Sequence, residues 1–227
     1  MNKYISELVI TLEKNRDPQK AKPMEAYMRN QFPYLGIKSP ELSSLTSEFY
    51  SRNGLPPVQE LAEILRDLWQ LPEREYQYSG VGLLSRMNKK LPDGFISTIE
   101  YLLVSKPWWD TVDAIAGGTV GVHFQRFPDV MNSTLPSWRT SPIFWLRRSA
   151  ILFQLNYKEK TDFVTLCQII EENLGSKEFF INKAIGWSLR QYSKYNESKV
   201  REFVSKTNLH PLSKREALKW LERKANK

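Results

Sequence analysis

Residues Ser149-Ala150-Ile151-Leu152 contain a pair, a small residue followed by an aliphatic one, that recurs along the chain. The five copies are Gly80-Val81, Ala114-Ile115, Ala150-Ile151, Ala184-Ile185 and Ala217-Leu218. Successive copies are separated by 34, 36, 34 and 33 residues. A period of this length is typical of stacked helical hairpins, because one hairpin alone cannot bury its apolar face. The repeat therefore predicts an all-α fold, a right-handed α-solenoid of helical repeats whose inner surface suits a long partner.

Helix boundaries can be located around these copies. Asp17-Pro18, Ser39-Pro40 and Ser141-Pro142 each place a capping side chain before a proline that suits the first helical turn. Gly54 and Gly175 follow helical runs where a left-handed cap is favoured. The predicted helices cover residues 2–15, 22–31, 40–53, 57–70, 72–88, 94–105, 107–126, 128–139, 142–157, 161–174, 178–194, 197–206 and 212–225.

No segment alternates convincingly with period two, so strands are not expected. The predicted connections are short and no linker is evident, which favours one domain over residues 1–227. Residues before about 70 do not follow the repeat. We therefore expect residues 1–70 to form an atypical N-terminal helical cap and residues 71–227 to form the repeats.

The composition favours a polyanionic partner. The chain has 227 residues, 41% of them hydrophobic, with 33 Lys and Arg against 25 Asp and Glu, a net charge of +8. Nucleic acid is the first partner that such an excess suggests and an anionic membrane surface the second. A basic protein that binds nothing anionic remains the alternative.

Cysteine and histidine are too few for several kinds of site. Cys167 is the only cysteine and lies in an amphipathic helical run, so we interpret it as a buried packing residue and expect no disulfide. With His123 and His210 alone and far apart in the sequence, we expect no metal cluster. The first residues lack a signal-like apolar stretch, and no run is long enough to span a membrane. These features predict a cytoplasmic protein.

The repeat also allows equivalent positions to be compared. One position before the small residue, every copy carries a polar side chain. These residues are Ser79, Asp113, Ser149, Lys183 and Glu216. We expect this position to face water or a ligand. A carboxylate on a basic inner surface would repel phosphate, so Asp113 is a solvated residue, pairs with a local cation, or acts on a group that becomes positive.

Aromatic and basic residues near this position suggest further roles. Trp109 occupies an offset that is aromatic in three copies, which favours a packing role at the helix start. It also precedes Asp113 by four residues and shares its helical face, where an indole could hold a sugar or a cationic ring. Trp187 occupies an offset that is apolar in nearly every copy, which favours a core position. Arg147-Arg148 could clamp a phosphate through bidentate guanidinium contacts or could be a solvated pair.

Two other stretches stand out. Gly117-Gly118 lies inside the helix that carries Asp113, where glycine costs about 1 kcal/mol relative to alanine and can kink the helix or admit a neighbour. Residues 211–227 hold six cations, including Lys214 and Arg215, and two anions, so this end could anchor a phosphate backbone or simply be solvated. No nucleotide-hydrolase, zinc-protease or serine-hydrolase motif is present.

Several segments closely resemble the AlkD family of alkylpurine DNA glycosylases. They run in order over about residues 15–223, nearly the whole chain. They are Pro23-Met24-Glu25-Ala26-Tyr27-Met28, Lys106-Pro107-Trp108-Trp109-Asp110-Thr111-Val112-Asp113, Ile143–Gln154, Ser176–Trp187 and Leu212-Ser213-Lys214-Arg215-Glu216-Ala217.

The resemblance implies a C-shaped stack of HEAT-like repeats with a concave surface that binds duplex DNA as a monomer. It implies hydrolysis of the N-glycosidic bond of N3- and N7-alkylated purines without metal or cofactor. By the same resemblance, Asp113 is the catalytic carboxylate, Trp109 and Trp187 flank the damaged nucleotide, Arg148 holds phosphate, and Tyr27 reaches the DNA. Arg147, Lys214 and Arg215 complete the expected DNA contacts. Such an enzyme would be cytoplasmic and would associate with the nucleoid.

Two expectations accompany this resemblance. Asp113 should stay ionised, with a normal or lowered pKa, to stabilise positive charge on the deoxyribose. The glycines at 117 and 118 stand where bulkier residues are expected in the family. If they loosen the helix, the placement of Asp113 and the reaction rate would change. The competing hypotheses are a DNA-binding helical scaffold without glycosylase activity and a protein-binding solenoid whose basic charge is incidental.

Overall fold

The computed structural model describes residues 3–225. The predicted helix start at residue 2 and the last basic residue, Lys227, lie outside this range. The α-helices, in chain order, are α1 Lys3–Glu13, α2 Pro18–Tyr27, α3 Ser39–Asn53, α4 Val58–Gln70, α5 Arg74–Met87, α6 Ile96–Val104, α7 Trp109–Ala114, α8 Gly121–Arg126, α9 Pro128–Arg139, α10 Phe144–Leu152, α11 Phe163–Glu172, α12 Phe179–Ser193, α13 Glu197–Lys206 and α14 Pro211–Ala225.

The all-α prediction is confirmed, since none of residues 3–225 forms a β-strand. Short 3₁₀ turns cover Asn88–Lys90, Asp93–Phe95 and Lys158–Lys160. A π-helical segment, Ile115–Val120, joins α7 to α8 without a break. Within the described residues, no helix combines the length and apolar character needed to cross a membrane.

Some predicted boundaries are wrong. Helix α2 begins at Pro18 rather than at 22, because the Asp17 side chain caps it by accepting from the backbone N–H of Gln19 and Lys20. Helix α10 covers only Phe144–Leu152 instead of 142–157. Ser141 accepts from the Ile143 backbone N–H at 3.1 Å before that helix starts, so it is a turn residue and not the helix cap.

The chain divides into two compact units at Thr98/Ile99, inside α6. The predicted single domain, with a cap ending at residue 70, stays a prediction. In the first unit, α4 buries an apolar stripe with i, i+3, i+4, i+7 spacing. The stripe consists of Leu61, Ile64, Leu65 and Leu68. Gly80 of α5 lies so close to α4 that a Cβ there would sit 2.7 Å from Trp69. This close approach explains the small residue of the first repeat copy.

The second unit packs α10 against α9 and α12, and α12 against α14. The small residues Ala150, Ala184 and Ala217 are fully buried at these contacts. Ala114 departs from this pattern, since it is exposed. The recurring small residue therefore marks close helix packing in four of the five copies.

Candidate active site

A cleft of about 370 Å³ opens in the second unit between α7, α10 and α12. Its walls combine aromatic rings with charged side chains. The lining residues are Trp109, Asp113, Arg148, Phe179, Phe180, Lys183, Trp187 and Arg190. An apolar pocket with a few convergent charges is the usual form of a binding or catalytic site.

Two adjacent tryptophans at the start of α7 have different environments. Trp108 has extended backbone angles and packs its ring against Trp145 and Phe180, with centroids 6.0 and 5.2 Å apart. Trp109 is the first helical residue and lines the cleft together with Asp113, one helical turn later. The change of backbone conformation between residues 108 and 109 thus separates a packing indole from one that faces the cleft.

Asp113 and Arg148 form a bidentate ion pair at the cleft wall. Arg148 donates from Nε to Asp113 Oδ1 at 2.6 Å and from Nη2 to Oδ2 at 2.7 Å. Its Nη1 donates to the backbone carbonyl of Phe180. The Arg148 side chain is 3% exposed and that of Asp113 is 13% exposed. Each guanidinium nitrogen therefore has an acceptor inside the protein, and the carboxylate is the more accessible partner.

Burial raises the pKa of Asp113 above the usual value for an aspartate, and the hydrogen bonds and charge of Arg148 oppose this rise. The expectation of a normal or lowered pKa is therefore wrong, because removal from water outweighs the paired cation. An aspartate with a raised pKa is a stronger proton acceptor than an exposed one while it is ionised.

The helix that carries Asp113 is supported where it becomes π-helical. The carbonyl of Gly117 accepts from Asn156 Nδ2 at 2.9 Å, and that of Gly121 accepts from the Tyr157 hydroxyl at 2.7 Å. A Cβ on Gly121 would lie 2.5 Å from the carbonyl oxygen of Phe153. Gly121 therefore allows the turn at residues 153–157 to pack closely, whereas a Cβ on Gly118 would have nothing within 4 Å. The effect of Gly117 and Gly118 on the placement of Asp113 stays a prediction.

A second ion cluster lies on the α12 side of the cleft. Glu216 of α14 accepts from Lys183 Nζ at 2.7 Å and from Arg190 Nη1 at 2.6 Å. Both cations line the cleft, whereas the Glu216 side chain is only 7% exposed. The cleft thus has an Asp–Arg pair in one wall and two cations that share one anion in another.

The sequence profile of the DNA alkylation repair enzyme family matches residues 9–221, nearly the entire chain. The chain belongs to this family. The solved structure described as a predicted DNA alkylation repair enzyme from Enterococcus faecalis is similar, with a TM-score of 0.83 and 34% sequence identity. The match covers 91% of this chain and 96% of that chain. No curated protein matches the sequence significantly.

In this member of the family, four of the predicted site residues lie together. Trp109, Asp113, Arg148 and Trp187 all line the cleft. The repeat comparison favoured a core position for Trp187, and that interpretation is wrong because the indole is partly exposed in the cleft. The resemblance had indicated the cleft position.

The other predicted DNA contacts lie outside the cleft lining. Arg147 donates from Nη1 to the Ser141 carbonyl at 2.6 Å. Tyr27, in the first unit, is 73% exposed. Lys214 and Arg215 are exposed on α14. Their predicted contacts with DNA stay predictions.

The position before the small residue was expected to face water or a ligand in every copy. That expectation is wrong for several copies. Ser79 and Ser149 are buried, and each hydroxyl donates to the carbonyl four residues earlier in its own helix. Glu216 is also buried. Asp113 therefore reaches the cleft for local reasons, and the shared polarity of this position is mostly a packing feature.

Sequence reasoning missed Phe179, Phe180, Lys183 and Arg190 as cleft residues. One signal was available, since Lys183 and Glu216 occupy equivalent positions in adjacent repeats and carry opposite charges. Cys167 is partly exposed rather than fully buried, and burial raises the pKa of its thiol to about 12. Among residues 3–225, no group of three or more His, Cys, Asp and Glu side chains is placed to hold a metal ion.

Proposed function

We propose that this protein is a monofunctional DNA glycosylase that hydrolyses the N-glycosidic bond of N3- and N7-alkylated purines in duplex DNA. One observation carries the proposal. An arginine holds the carboxylate of Asp113 at the wall of a cleft lined by Trp109 and Trp187. Membership of a DNA alkylation repair family supports the choice of substrate.

The chemistry of the substrate fits this cleft. Alkylation at N3 or N7 makes the purine cationic, so breaking the bond from C1′ to N9 sends both electrons to the base, which departs neutral. The deoxyribose is left with oxocarbenium character, and a nearby carboxylate stabilises that charge. Water then adds to C1′ and gives up a proton. Asp113 is the carboxylate that lines the cleft, so it suits the stabilisation of positive charge on the sugar. It also suits the acceptance of a proton from water, because burial raises its pKa.

The aromatic walls supply binding. Trp109 and Trp187 offer flat faces to a sugar or to a ring that bears positive charge. We assign Arg148 the task of orienting Asp113, since its three nitrogens are all hydrogen-bonded within the protein. Tyr27, Arg147, Lys214 and Arg215 are assigned to the DNA backbone outside the cleft.

The test is release of 7-methylguanine from methylated duplex DNA under single-turnover conditions. We expect release by the natural chain and a rate about 10²- to 10³-fold lower for Asp113→Asn, the size of effect seen when one preorganised electrostatic group is lost. Asp129→Asn is a matched control, because this carboxylate is exposed in the first turn of α9, in the same unit, and does not line the cleft. Its rate should stay within a few-fold of the natural rate.

Other outcomes would favour other functions. No release by the natural chain, together with steeply salt-dependent DNA binding, would favour a scaffold without activity. Binding of DNA that does not respond to salt would contradict both DNA-based functions, since each phosphate contact contributes about 0.9 to the slope of log affinity against log salt. Equal rates for the natural chain and Asp113→Asn would remove Asp113 from the mechanism.

A further inference from the structure

Lys183 and Arg190 lie two turns apart on the face of α12 that lines the cleft. Neither belongs to the pair formed by Asp113 and Arg148. Both donate to the same carboxylate, Glu216 of α14, at 2.7 and 2.6 Å. Two cations that share one anion keep a net charge of +1 at this wall.

Close helix packing places Glu216 between these cations. Gly186 lies between Lys183 and Arg190 in α12, and a Cβ there would sit 2.5 Å from the Cβ of Glu216 and 2.8 Å from the Ser213 carbonyl oxygen. The Ser213 hydroxyl also donates to the Asn182 carbonyl at 2.8 Å. Helix α14 can therefore approach α12 closely only because residue 186 has no side chain.

The burial of the three groups is unequal in a way that favours a second anion. The Glu216 side chain is 7% exposed, whereas those of Lys183 and Arg190 are 37% and 26% exposed. Although burial alone would raise it, the hydrogen bond from Lys183 and the charges of Lys183 and Arg190 leave the pKa of Glu216 below its ordinary value. The anion is thus held behind the cations, whose more exposed ends face the cleft.

Both cations have donors to spare. A lysine ammonium carries three N–H groups and a guanidinium five, and the bonds to Glu216 use one of each. A phosphodiester presents two oxygens and one negative charge, which suits an ammonium and a guanidinium set side by side.

We propose that Glu216 presets Lys183 and Arg190 as a seat for a single phosphate of the nucleotide held in the cleft, so that Glu216 is a positioning residue for the reaction. This inference rests on the proposed function for its substrate. The seat lies in the same cleft as Asp113 and would fix the sugar beside that carboxylate.

The first test is binding and does not require catalysis. The affinity for duplex DNA is measured against salt for Lys183→Gln, Arg190→Gln and the double variant. If the two cations share one phosphate, the double variant should lower the slope of log affinity against log salt by about 0.9, the contribution of a single phosphate contact. A loss of about 1.8 would mean two separate phosphates, and an unchanged slope would mean none. Either result would overturn the single seat.

The second test separates positioning from charge. Glu216→Gln adds one positive charge to the wall, so affinity for DNA should stay equal or rise. The single-turnover rate of base release should nevertheless fall by about tenfold, because misplaced contacts are costly to a reaction. Tighter binding with an unchanged rate would overturn the proposal, since Glu216 would then only neutralise charge.

Two further variants serve as controls for the Glu216→Gln measurement. Glu216→Asp keeps the charge but shortens the side chain, so it should also slow release without changing affinity; a natural rate would count against positioning. Glu172→Gln is the matched control, because it breaks an interhelical ion pair with Arg139 (2.7 Å) elsewhere in the same unit. It should leave rate and slope unchanged. If the natural chain releases no methylated purine, the proposed function fails, while the salt slopes still decide the seat.

Discussion

Glu75 of α5 and Asp113 of α7 are both carboxylates on a repeat helix, and burial raises the pKa of each. Their surroundings differ. Glu75, in the first unit, is 0% exposed and accepts from the backbone N–H groups of Leu35, Gly36 and Ile37 at 2.9, 2.9 and 3.1 Å. Asp113, in the second unit, accepts two hydrogen bonds from the Arg148 guanidinium and lines an open cleft.

The contrast shows that a raised pKa does not by itself mark an active site. The Glu75 carboxylate is surrounded by donors that belong to the fold, so it ties the 35–37 loop to α5. Burial also raises the pKa of Asp113, but this carboxylate lines a cleft of about 370 Å³ between aromatic walls. Access, rather than burial, separates the candidate catalytic carboxylate from the structural one.

The largest expected effect tests the structural side of this contrast. Glu75→Ala should lower the free energy of unfolding by about 3 kcal/mol, because three buried N–H groups lose their acceptor. Urea denaturation measures this, and the rate of base release per folded molecule should not change. Glu48→Ala is the control in the same unit, since its ion pair with Arg52 is exposed and worth less than about 1 kcal/mol. If folded Glu75→Ala released base more slowly than the natural chain, the distinction between a structural Glu75 and a catalytic Asp113 would be wrong.

A smaller effect tests the catalytic side. Arg148→Lys keeps the positive charge but loses the bidentate grip on Asp113, and the rate should fall by about tenfold, or 1.4 kcal/mol. Arg148 lowers the pKa of Asp113, so weakening it lets that pKa rise further. The carboxylate then takes up its proton at higher pH, so the fall in rate on the acid side of the pH–rate profile begins at a higher pH.

The same position distinguishes orienting from phosphate binding. If Arg148 only orients Asp113, Arg148→Gln leaves the salt slope of DNA binding unchanged while the rate falls. A slope lower by about 0.9 would instead support the phosphate contact implied by family resemblance. Arg139→Lys is the control for both measurements, because its partner Glu172 lies outside the cleft lining.

The smallest expected effect concerns the helix that carries Asp113. Tyr157→Phe removes the hydroxyl that donates to the Gly121 carbonyl at 2.7 Å and should destabilise the protein by about 1 kcal/mol. The melting temperature should fall by about 2–4 °C. Tyr195→Phe is the control, since that ring is 42% exposed and its change should stay within about 0.5 kcal/mol. An equal loss in both variants would mean that the bond to Gly121 contributes nothing.

Much of the fold follows from local sequence signals. The repeated small residue and the cap at Asp17 reflect packing and hydrogen bonds that involve few residues, so the helices could be placed within a few positions. The start of α2 was placed four residues late although its cap at Asp17 is local, whereas another error lies where a tertiary contact ends a helix. Helix α10 ends early because residues 153–157 turn to contact Gly117 in the π-helical segment and Gly121 at the start of α8. The sequence of α10 alone does not predict these contacts.

The site was predictable only in part. Arg147 and Arg148 are adjacent and chemically identical, yet one bonds the Ser141 carbonyl and the other is buried against Asp113. Helical periodicity places the two arginines on different sides of the helix. It does not predict which side faces inward, because that depends on where the neighbouring helices pack. Glu75 was passed over for the same reason, because its three donors come from a loop about 40 residues away in the sequence.

The π-helical segment after Asp113 has a consequence for register. The step from Ala114 to Ala150, which contains this segment, is the longest of the four at 36 residues, and a π-helical turn holds one more residue than an α-helical one. Deleting one residue there, such as Gly118, would let the helix return to regular winding. The wider π-helical turn takes up the extra residue, so its removal would leave the angular positions of Trp109 and Asp113 nearly unchanged. The segment thus lets this repeat hold one more residue while the candidate catalytic face keeps its direction.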